Sequence, residues 1–220
     1  MADAKREWQS AQHALEYLSK ADKIPHRTEG ESVLLEEIPP GAKMILDLGS
    51  GSGRLLDLCL LKCPAAAGTA LDFSGPMLSM LKDKYNGDNS VTVVSHDLNN
   101  PLPFEAGSFD VIVSSFAIHH VDDKRKREIY EEVWKLLDSG GIFCNLEHVS
   151  SPTESLHKKF FEKLNSEEDE SNILLDIETQ LRWLREIGYS DADCYWKWRE
   201  LALLIGRKTL QNFLPEVRQR

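Results

Sequence analysis

Three glycines lie close together in the stretch ILDLGSGSGRLLDL, residues 45–58. Gly49, Gly51 and Gly53 follow a short apolar run that ends near Asp47, and a second apolar run comes directly after them. Glycine permits a tight turn, a positive φ angle and close approach of a ligand to the backbone, and the first turn of a helix presents N–H groups without partners inside the helix. The pattern predicts a strand, a loop and a helix that together hold a nucleotide-like ligand.

Two other glycine motifs do not fit this stretch. A dinucleotide-binding GxGxxG motif needs its third glycine at position 54, where Arg54 stands, and no Gly-Lys-Ser/Thr sequence follows, as a P-loop requires. The alternative that stays open is an ordinary glycine-rich turn of an α/β protein.

Carboxylates end the next two apolar runs. Asp72 ends TALD, and an acidic side chain there can accept hydrogen bonds from both hydroxyls of a ribose. Asp97 follows VTVVSH, and its carboxylate can accept from an exocyclic amine while Leu98 packs against an adenine ring. The alternative for each carboxylate by itself is a capping or turn role. Together they predict a nucleoside lying over the carboxyl ends of the strands.

Histidine and glutamate side chains come at the ends of the fourth and fifth apolar runs. His119 or His120 is the leading candidate for a general base or an orienting group, and the alternative is a histidine buried in the core. Glu147 and His148 lie at the same predicted sheet edge, where they would line a polar substrate pocket, cap the following helix, or join His120 and His157 in a metal site. No HxH or HxxxH pair fixes two ligands on one element, so we expect no metal.

The elements that must position these residues follow from an alternating pattern. Short apolar runs of strand length are separated by helical stretches or a turn-rich loop: MILDL, GTALD, VTVVS, DVIVSS and GIFCNLE. This order predicts a parallel sheet with helices on both faces. After residue 150 come a polar helix, an acidic break, the helix IETQLRWLREIG and two strand-like runs, DADCYWKW and ELALLIGRK. Two consecutive strands predict an antiparallel hairpin at the far edge of the sheet.

The regions outside this pattern are short. Apolar residues at helical spacing predict an amphipathic helix over residues 3–20, and a second helical stretch, ESVLLEEI, ends at Pro-Pro-Gly. We therefore expect a helical cap at residues 1–40, one α/β domain at 41–208 and a C-terminal tail at 209–220.

The net charge and the cysteine content of the chain indicate which partners and which compartment to expect. A net charge of −10 argues against a surface built for nucleic acid or an anionic membrane, so a small molecule is the expected partner. The basic run in DDKRKRE is interpreted as a solvated helix face. Four scattered cysteines indicate free thiols in a reducing compartment, and the absence of a signal-like or membrane-spanning run predicts a cytoplasmic location. A monomer or a homodimer is expected.

Taken together, the motifs resemble the class I S-adenosylmethionine-dependent methyltransferases, and in particular the type 11/12/25-like small-molecule group. The resemblance covers residues 41–147 through ILDLGSGSGR, ALDFSGPML, SHDL and FDVIVSSFAIHHV. It implies a Rossmann-like, mostly parallel seven-stranded sheet of order 3-2-1-4-5-7-6, with one antiparallel strand, helices on both faces and an N-terminal helical lid.

The resemblance also implies S-adenosyl-L-methionine as the cofactor. The glycines would lie against its methionyl part, Asp72 on its ribose, Asp97 and Leu98 at its adenine, and Asp47 near its amino group. Arg27, in the predicted lid, would pair with its carboxylate. The full set of expected cofactor-binding residues is Arg27, Asp47, Gly49, Gly51, Gly53, Asp72, Phe73, Met77, Asp97, Leu98, Ser114 and Ser115.

The expected activity is methyl transfer to a small-molecule acceptor. SSFA stands where enzymes that methylate base nitrogens carry an NPPY-like motif, which favours oxygen, sulfur or carbon acceptors and, with the acidic charge, disfavours tRNA. The alternatives are a cyclase or lyase that consumes the same cofactor and a non-catalytic cofactor-binding subunit.

Overall fold

The computed structural model describes residue 10, residues 24–165 and residues 167–209. The helix predicted over residues 3–20 and the tail beyond Thr209 lie outside the described residues.

The described residues form alternating strands and helices, as the sequence pattern predicts. The strands are β1 (Met44–Leu48), β2 (Ala67–Asp72), β3 (Val91–Ser95), β4 (Phe109–Ser115), β5 (Leu137–His148), β6 (Ser190–Trp198) and β7 (Leu201–Arg207). The helices are α1 (Arg27–Glu37), α2 (Arg54–Lys62), α3 (Gly75–Lys84), α4 (Asp123–Leu136), α5 (Glu154–Leu164) and α6 (Ile177–Ile187), with a short 3₁₀ helix at Ile118–His120. Within the described residues, no helix is long and apolar enough to cross a membrane.

The strands form one sheet in the order β3-β2-β1-β4-β5-β7-β6. Neighbouring strands from β3 to β5 are parallel, whereas β7 is antiparallel to both β5 and β6. The predicted fold class and strand order are therefore confirmed. Because β6 and β7 follow each other without a helix, they can pair only as a hairpin, and β7 enters the sheet between β5 and β6.

Two apolar cores lie on opposite faces of the sheet. Along β1, Ile45 faces the core formed with α1, α2 and α5, whereas Leu46 faces the core formed with α4 and α6. This alternation follows from the two-residue period of a strand, and burial of each such side chain contributes about 1.5–3 kcal/mol. The two layers of helices hold the carboxyl ends of the parallel strands at one edge, where the candidate site lies.

The interpretation of the basic run as a solvated helix face is wrong for two of its residues. Arg125 and Lys126, on α4, are 6% and 2% exposed. Arg125 donates to the carbonyl oxygens of Leu98 and Asn100 and pairs with Glu132. Burial of these charged side chains is possible because backbone carbonyls and carboxylates accept hydrogen bonds from them. A charge pattern in the sequence does not reveal such partners.

Candidate active site

The glycine loop joins β1 to α2 with the backbone that the sequence predicts. Gly49 and Gly51 have φ angles of 69° and 54°, in the left-handed region that favours glycine. A Cβ at Gly49 would lie 2.3 Å from the Cβ of Ala117, whereas one at Gly51 would meet nothing within 4 Å. The first glycine is therefore required for close packing, and the second leaves open space on the ligand side of the loop.

Asp72 organises the loop from the end of β2. Its Oδ2 accepts a hydrogen bond from the Gly51 N–H at 2.8 Å, and its Oδ1 accepts from the Ser74 N–H at 2.8 Å, at the start of α3. Burial raises the pKa of Asp72, and these N–H donors act in the opposite direction. The carboxylate therefore ties the glycine loop to α3 and also faces a cavity.

This cavity lies at the carboxyl ends of β1, β2 and β4. Eight of its lining residues belong to the predicted site: Gly49, Gly51, Asp72, Phe73, Met77, Asp97, Leu98 and His120. The lining residues that the sequence analysis missed are Leu71, His96, Asn99, Phe116, Ala117, Val121, Glu170, Ser171 and Ile173. The structure therefore brings the glycine loop, Asp72 and the Asp97–Leu98 pair together around a single space.

Part of the cavity wall comes from the segment between α5 and α6. The N–H of Ile173 donates to the carbonyl oxygen of His119 at 2.8 Å, and the Ser171 hydroxyl lies 3.0 Å from His120 Nδ1. In the sequence this segment is only an acidic break, so no motif indicated that it would reach the site. The segment reaches the cavity because it leads into α6, which packs against the sheet.

Phe116, an aromatic residue at the end of the fourth apolar run, is a second contribution outside the expected set of site residues. It follows β4 directly and has a φ angle of 53°, a strained conformation for an aromatic residue. Its N–H donates to the carbonyl oxygen of Leu146 at 2.8 Å, which links the ends of β4 and β5. The strained turn places its ring in the cavity wall, beneath the guanidinium of Arg27 at 5.4 Å from the ring centroid.

The turn at Asp97 and Leu98 is fixed by side chains as well as backbone. Asp97 Oδ1 accepts hydrogen bonds from the Asn99 N–H at 2.9 Å and from the Asn99 side-chain amide at 2.8 Å. Arg125 Nε donates to the carbonyl oxygen of Leu98 at 2.6 Å. These bonds hold the turn so that the apolar side chain of Leu98 and the carboxylate of Asp97 both line the cavity.

Asp47 lies under the glycine loop and is almost fully buried. Its Oδ2 has no hydrogen-bond partner among the described residues. Burial, followed by the charge of Asp72, raises the pKa of Asp47 to about 7, although the hydrogen bond from Ser50 acts in the opposite direction. A buried carboxylate oxygen without a donor beneath a ligand-binding loop fits the ammonium group of an amino-acid moiety.

Arg27 and Arg54 share one buried carboxylate beside the loop. Arg27 Nε donates to Glu31 Oε1 at 2.9 Å, and Arg54 contacts both Glu31 oxygens at 2.8–2.9 Å. Burial by itself would raise the pKa of Glu31, but the two guanidinium groups outweigh it and lower the pKa. Glu31 thus holds two guanidinium groups together beside the glycine loop.

His119 and Glu147 form a buried pair at the ends of β4 and β5. His119 Nδ1 lies 2.5 Å from Glu147 Oε1, and that oxygen also accepts from the His148 N–H at 2.8 Å. Burial lowers the pKa of His119 well below its usual value and raises the pKa of Glu147 to about 7. The imidazole of His119 is therefore neutral near pH 7, and the side chain of Glu147 orients its ring.

Eight predicted residues lie outside the cavity wall: Arg27, Asp47, Gly53, Ser114, Ser115, His119, Glu147 and His148. Ser114 is fully buried and donates from Oγ to the carbonyl oxygen of Leu48, so its hydroxyl serves the sheet. Ser115 lies near Arg27, and a Cβ at Gly53 would lie 2.7 Å from the hydroxyl of Tyr85. Among the described residues, no group of three or more His, Cys, Asp or Glu side chains could hold a metal ion.

Comparison with known proteins finds a match to a family model and several similar methyltransferases. Residues 45–141 match the family model described as a methyltransferase domain. A demethylmenaquinone methyltransferase of Roseiflexus castenholzii is 30% identical over 130 residues, which are 57% of this chain and 52% of that protein. One of Clavibacter sepedonicus is 28% identical over 176 residues, covering 70% of this chain and 69% of that protein. The chain thus spans about half the length of the first of these relatives.

Solved structures share the fold at lower identity. Human N-acetylserotonin methyltransferase in complex with SAM matches with a TM-score of 0.67 and 17% identity, covering 92% of this chain and 57% of that one. A Haloferax volcanii methyltransferase, solved with the Trm112 methyltransferase activator, matches with a TM-score of 0.68 and 18% identity, covering 90% of this chain and 97% of that one.

Proposed function

We propose that this chain, which carries a class I S-adenosylmethionine-dependent methyltransferase domain, transfers a methyl group from S-adenosylmethionine to a small-molecule acceptor. The family and its cofactor rest on the domain match and on the shared fold. The observation that supports the activity most directly is the cavity in which the glycine loop, Asp72 and Asp97 meet beside the His119–Glu147 pair.

Each part of the cofactor has a proposed partner. Asp72 would accept from the ribose hydroxyls, while Asp97 and Leu98 would hold the adenine. The unpartnered oxygen of Asp47 would accept from the amino group, and Arg27 would pair with the carboxylate. The other residues that we propose as cofactor-binding are Gly49, Gly51, Gly53, Phe73, Met77, Ser114 and Ser115.

The buried pair favours an acceptor that must lose a proton. With Nδ1 of His119 directed at Glu147, its Nε2 is the nitrogen that would take the proton from a hydroxyl or an activated carbon. The bound cofactor supplies the methyl group, which the acceptor takes in line as the carbon–sulfur bond breaks. Glu147 would stabilise the imidazolium that forms. His120 and His148 would flank this base, and they are proposed as orienting groups.

Relatives point to the same class of acceptor. The two that are described above are named demethylmenaquinone methyltransferases. We therefore favour an acceptor with acidic hydroxyls on a ring, such as a phenol or a hydroquinone, methylated at carbon or oxygen.

Mass spectrometry tests the proposed activity. Purified protein would be incubated with S-adenosylmethionine alone and then with a pooled metabolite extract or with a hydroquinone. Appearance of S-adenosylhomocysteine only with an acceptor, together with an acceptor heavier by one methylene, is the expected result. Methylthioadenosine without any acceptor would instead indicate a cyclase or lyase, and no turnover with tight cofactor binding would indicate a non-catalytic subunit.

Partner and location proposals rest on charge and cysteine chemistry. The net charge of −10 supports a small-molecule acceptor rather than nucleic acid or an anionic membrane. All four cysteines are free thiols, which supports a cytoplasmic, reducing environment. We propose a monomer or a homodimer, which sedimentation of the purified protein would distinguish from larger assemblies.

A further inference from the structure

Another buried carboxylate, that of Glu200, lies at the tip of the β6–β7 hairpin. Glu200 is 2% exposed. Its carboxylate lies 3.1 Å from His148 Nε2 and 3.1 Å from His157 Nδ1, and it also accepts from the hydroxyl of Ser151. Its backbone carbonyl accepts from the Val149 N–H at 2.8 Å. Glu200 therefore binds the end of β5 and the start of α5 to the hairpin.

The end of β5 connects this carboxylate to the proposed base. Successive residues of a strand point to opposite faces, so the ring of His148 lies on the α5 side and the carboxylate of Glu147 on the α4 side. The N–H of His148 donates across the strand to Glu147 Oε1 at 2.8 Å. The same oxygen lies 2.5 Å from His119 Nδ1. The orientation of His119 thus depends on where the backbone of His148 lies.

We propose that Glu200 is a positioning residue for the proposed base. By holding the ring of His148, it fixes the N–H that orients Glu147, and Glu147 in turn keeps the proton of His119 on Nδ1 and leaves Nε2 unprotonated. The role of His119 as a base rests on the proposed function, whereas the hydrogen-bond relay itself does not.

The charge of Glu200 strengthens this relay. Burial by itself would raise the pKa of Glu200, but hydrogen bonds from His148, Ser151 and His157 outweigh it and lower the pKa. His157 in turn lies 2.9 Å from Glu168 through Nε2, which raises the pKa of His157. Glu200 therefore stays ionised near neutral pH, and hydrogen bonds to an ionised acceptor are about twice as strong as neutral ones.

Nitrogen-15 NMR of histidine-labelled protein tests the inference, because ring nitrogen shifts report which nitrogen carries the proton. The signals of His119 would be assigned by their loss in His119→Gln. Wild type and the control Glu186→Gln, an exposed partner of Arg127, should show His119 protonated on Nδ1. Glu200→Ala should shift the ratio of the two tautomers about tenfold towards Nε2–H, the effect expected from a lost hydrogen bond to a charged group.

A second variant keeps the test decisive if Glu200→Ala does not fold. His148→Phe removes the ring contact with Glu200 but keeps the backbone N–H, and its ring suits the neighbouring Phe160 and Phe161. It should shift the tautomers in the same direction. A folded variant of either kind that retains the wild-type signals of His119 overturns the inference. Because this readout needs no acceptor, a protein that shows the shift but transfers no methyl group contradicts only the proposed function.

Discussion

His119 and Glu147 are 28 residues apart in the chain, and their side chains meet with Nδ1 of the imidazole 2.5 Å from Oε1 of the carboxylate. The contact joins the 3₁₀ helix that follows β4 to the end of β5. The strands β4 and β5 are parallel neighbours in the sheet. The contact holds the ring of His119 against Glu147, and this is why we propose His119 as the base. His120 lines the cofactor cavity, whereas His119 lies deeper, against Glu147.

Replacing the two adjacent histidines separately should have different effects. His119→Gln should lower kcat about 10²–10⁴-fold, the usual contribution of a general base, and leave the Kd for S-adenosylhomocysteine nearly unchanged. His120→Gln should weaken cofactor binding and lower kcat less, because His120 lines the cavity and its Nδ1 lies 3.0 Å from the Ser171 hydroxyl instead of against Glu147. Steady-state kinetics and calorimetry on both variants measure the split.

Equal losses of kcat in the two variants would contradict the assignment of His119 as the base. Unchanged turnover in both would mean that no histidine in this segment takes the proton.

Replacing two glycines of the loop by alanine, one at a time, should separate the effect on protein stability from the effect on cofactor binding. Gly49→Ala should lower the free energy of unfolding by more than about 2 kcal/mol, because its Cβ would lie 2.3 Å from the Cβ of Ala117 and its φ is 69°. Gly51→Ala should cost about 1–2 kcal/mol from its positive φ alone. The Gly51 variant should still weaken S-adenosylhomocysteine binding, because the added methyl group enters the open space beside the cavity. Urea unfolding and calorimetry give both quantities.

If Gly51→Ala binds S-adenosylhomocysteine as tightly as wild type, the cofactor does not approach this part of the loop.

The buried arginine of α4 should be sensitive to a change that keeps its charge. Arg125→Lys should lower the free energy of unfolding by about 1–3 kcal/mol, because lysine cannot reach the carbonyl oxygens of Leu98 and Asn100 together with Glu132. Cofactor affinity should fall with it, since the turn lines the cavity. Arg127→Lys, four-tenths exposed in its side chain, is the control and should change stability by no more than about 0.5 kcal/mol.

Equal stability losses in the two lysine variants would show that the carbonyl contacts of Arg125 contribute nothing specific.

The stability of the protein should depend on pH through Glu147. Burial raises its pKa from 4.5 to about 7, so the folded state keeps a proton that the unfolded chain has already released. This contribution to stability is present below pH 4.5 and is lost as pH rises through about 7. Glu147→Gln cannot ionise, so its stability relative to wild type should rise between about pH 5 and about pH 8, by about 1.4 kcal/mol for each pKa unit of the shift.

Urea unfolding at several pH values measures this difference. Burial of His119 lowers its pKa and acts with the opposite sign, but His119 is present in both proteins and its effect largely cancels. The pKa of Asp47 is also raised to about 7, and Asp47 is present in both proteins. The stability of the Glu147→Gln variant should therefore still fall as pH rises, but less than that of wild type. A difference between wild type and Glu147→Gln that stays constant over this pH range would contradict the raised pKa of Glu147.

Local chemistry in the sequence predicted the alternation of strands and helices, the glycine loop and the carboxylates that follow the strands, whereas the order of the strands in the sheet was implied by the resemblance to a methyltransferase family. Glycines at positive φ, carboxylates directly after strands and a two-residue apolar period act over a few neighbouring residues, so their spacing can be read from the chain. The alternation of strands and helices then leaves few ways to build the sheet, and the hairpin at Ser190–Arg207 follows from two strands without a helix between them.

Only the tertiary structure decided which distant side chains meet. The pairing of His119 with Glu147, the approach of the segment around Ser171 to the cavity and the links of Glu200 to β5 and α5 join residues 28 to 52 positions apart. The same holds for Arg125, whose burial reverses the expectation for a run of basic residues. Such contacts depend on how helices and loops pack on the sheet, and no local pattern encodes a partner that is brought near only by folding.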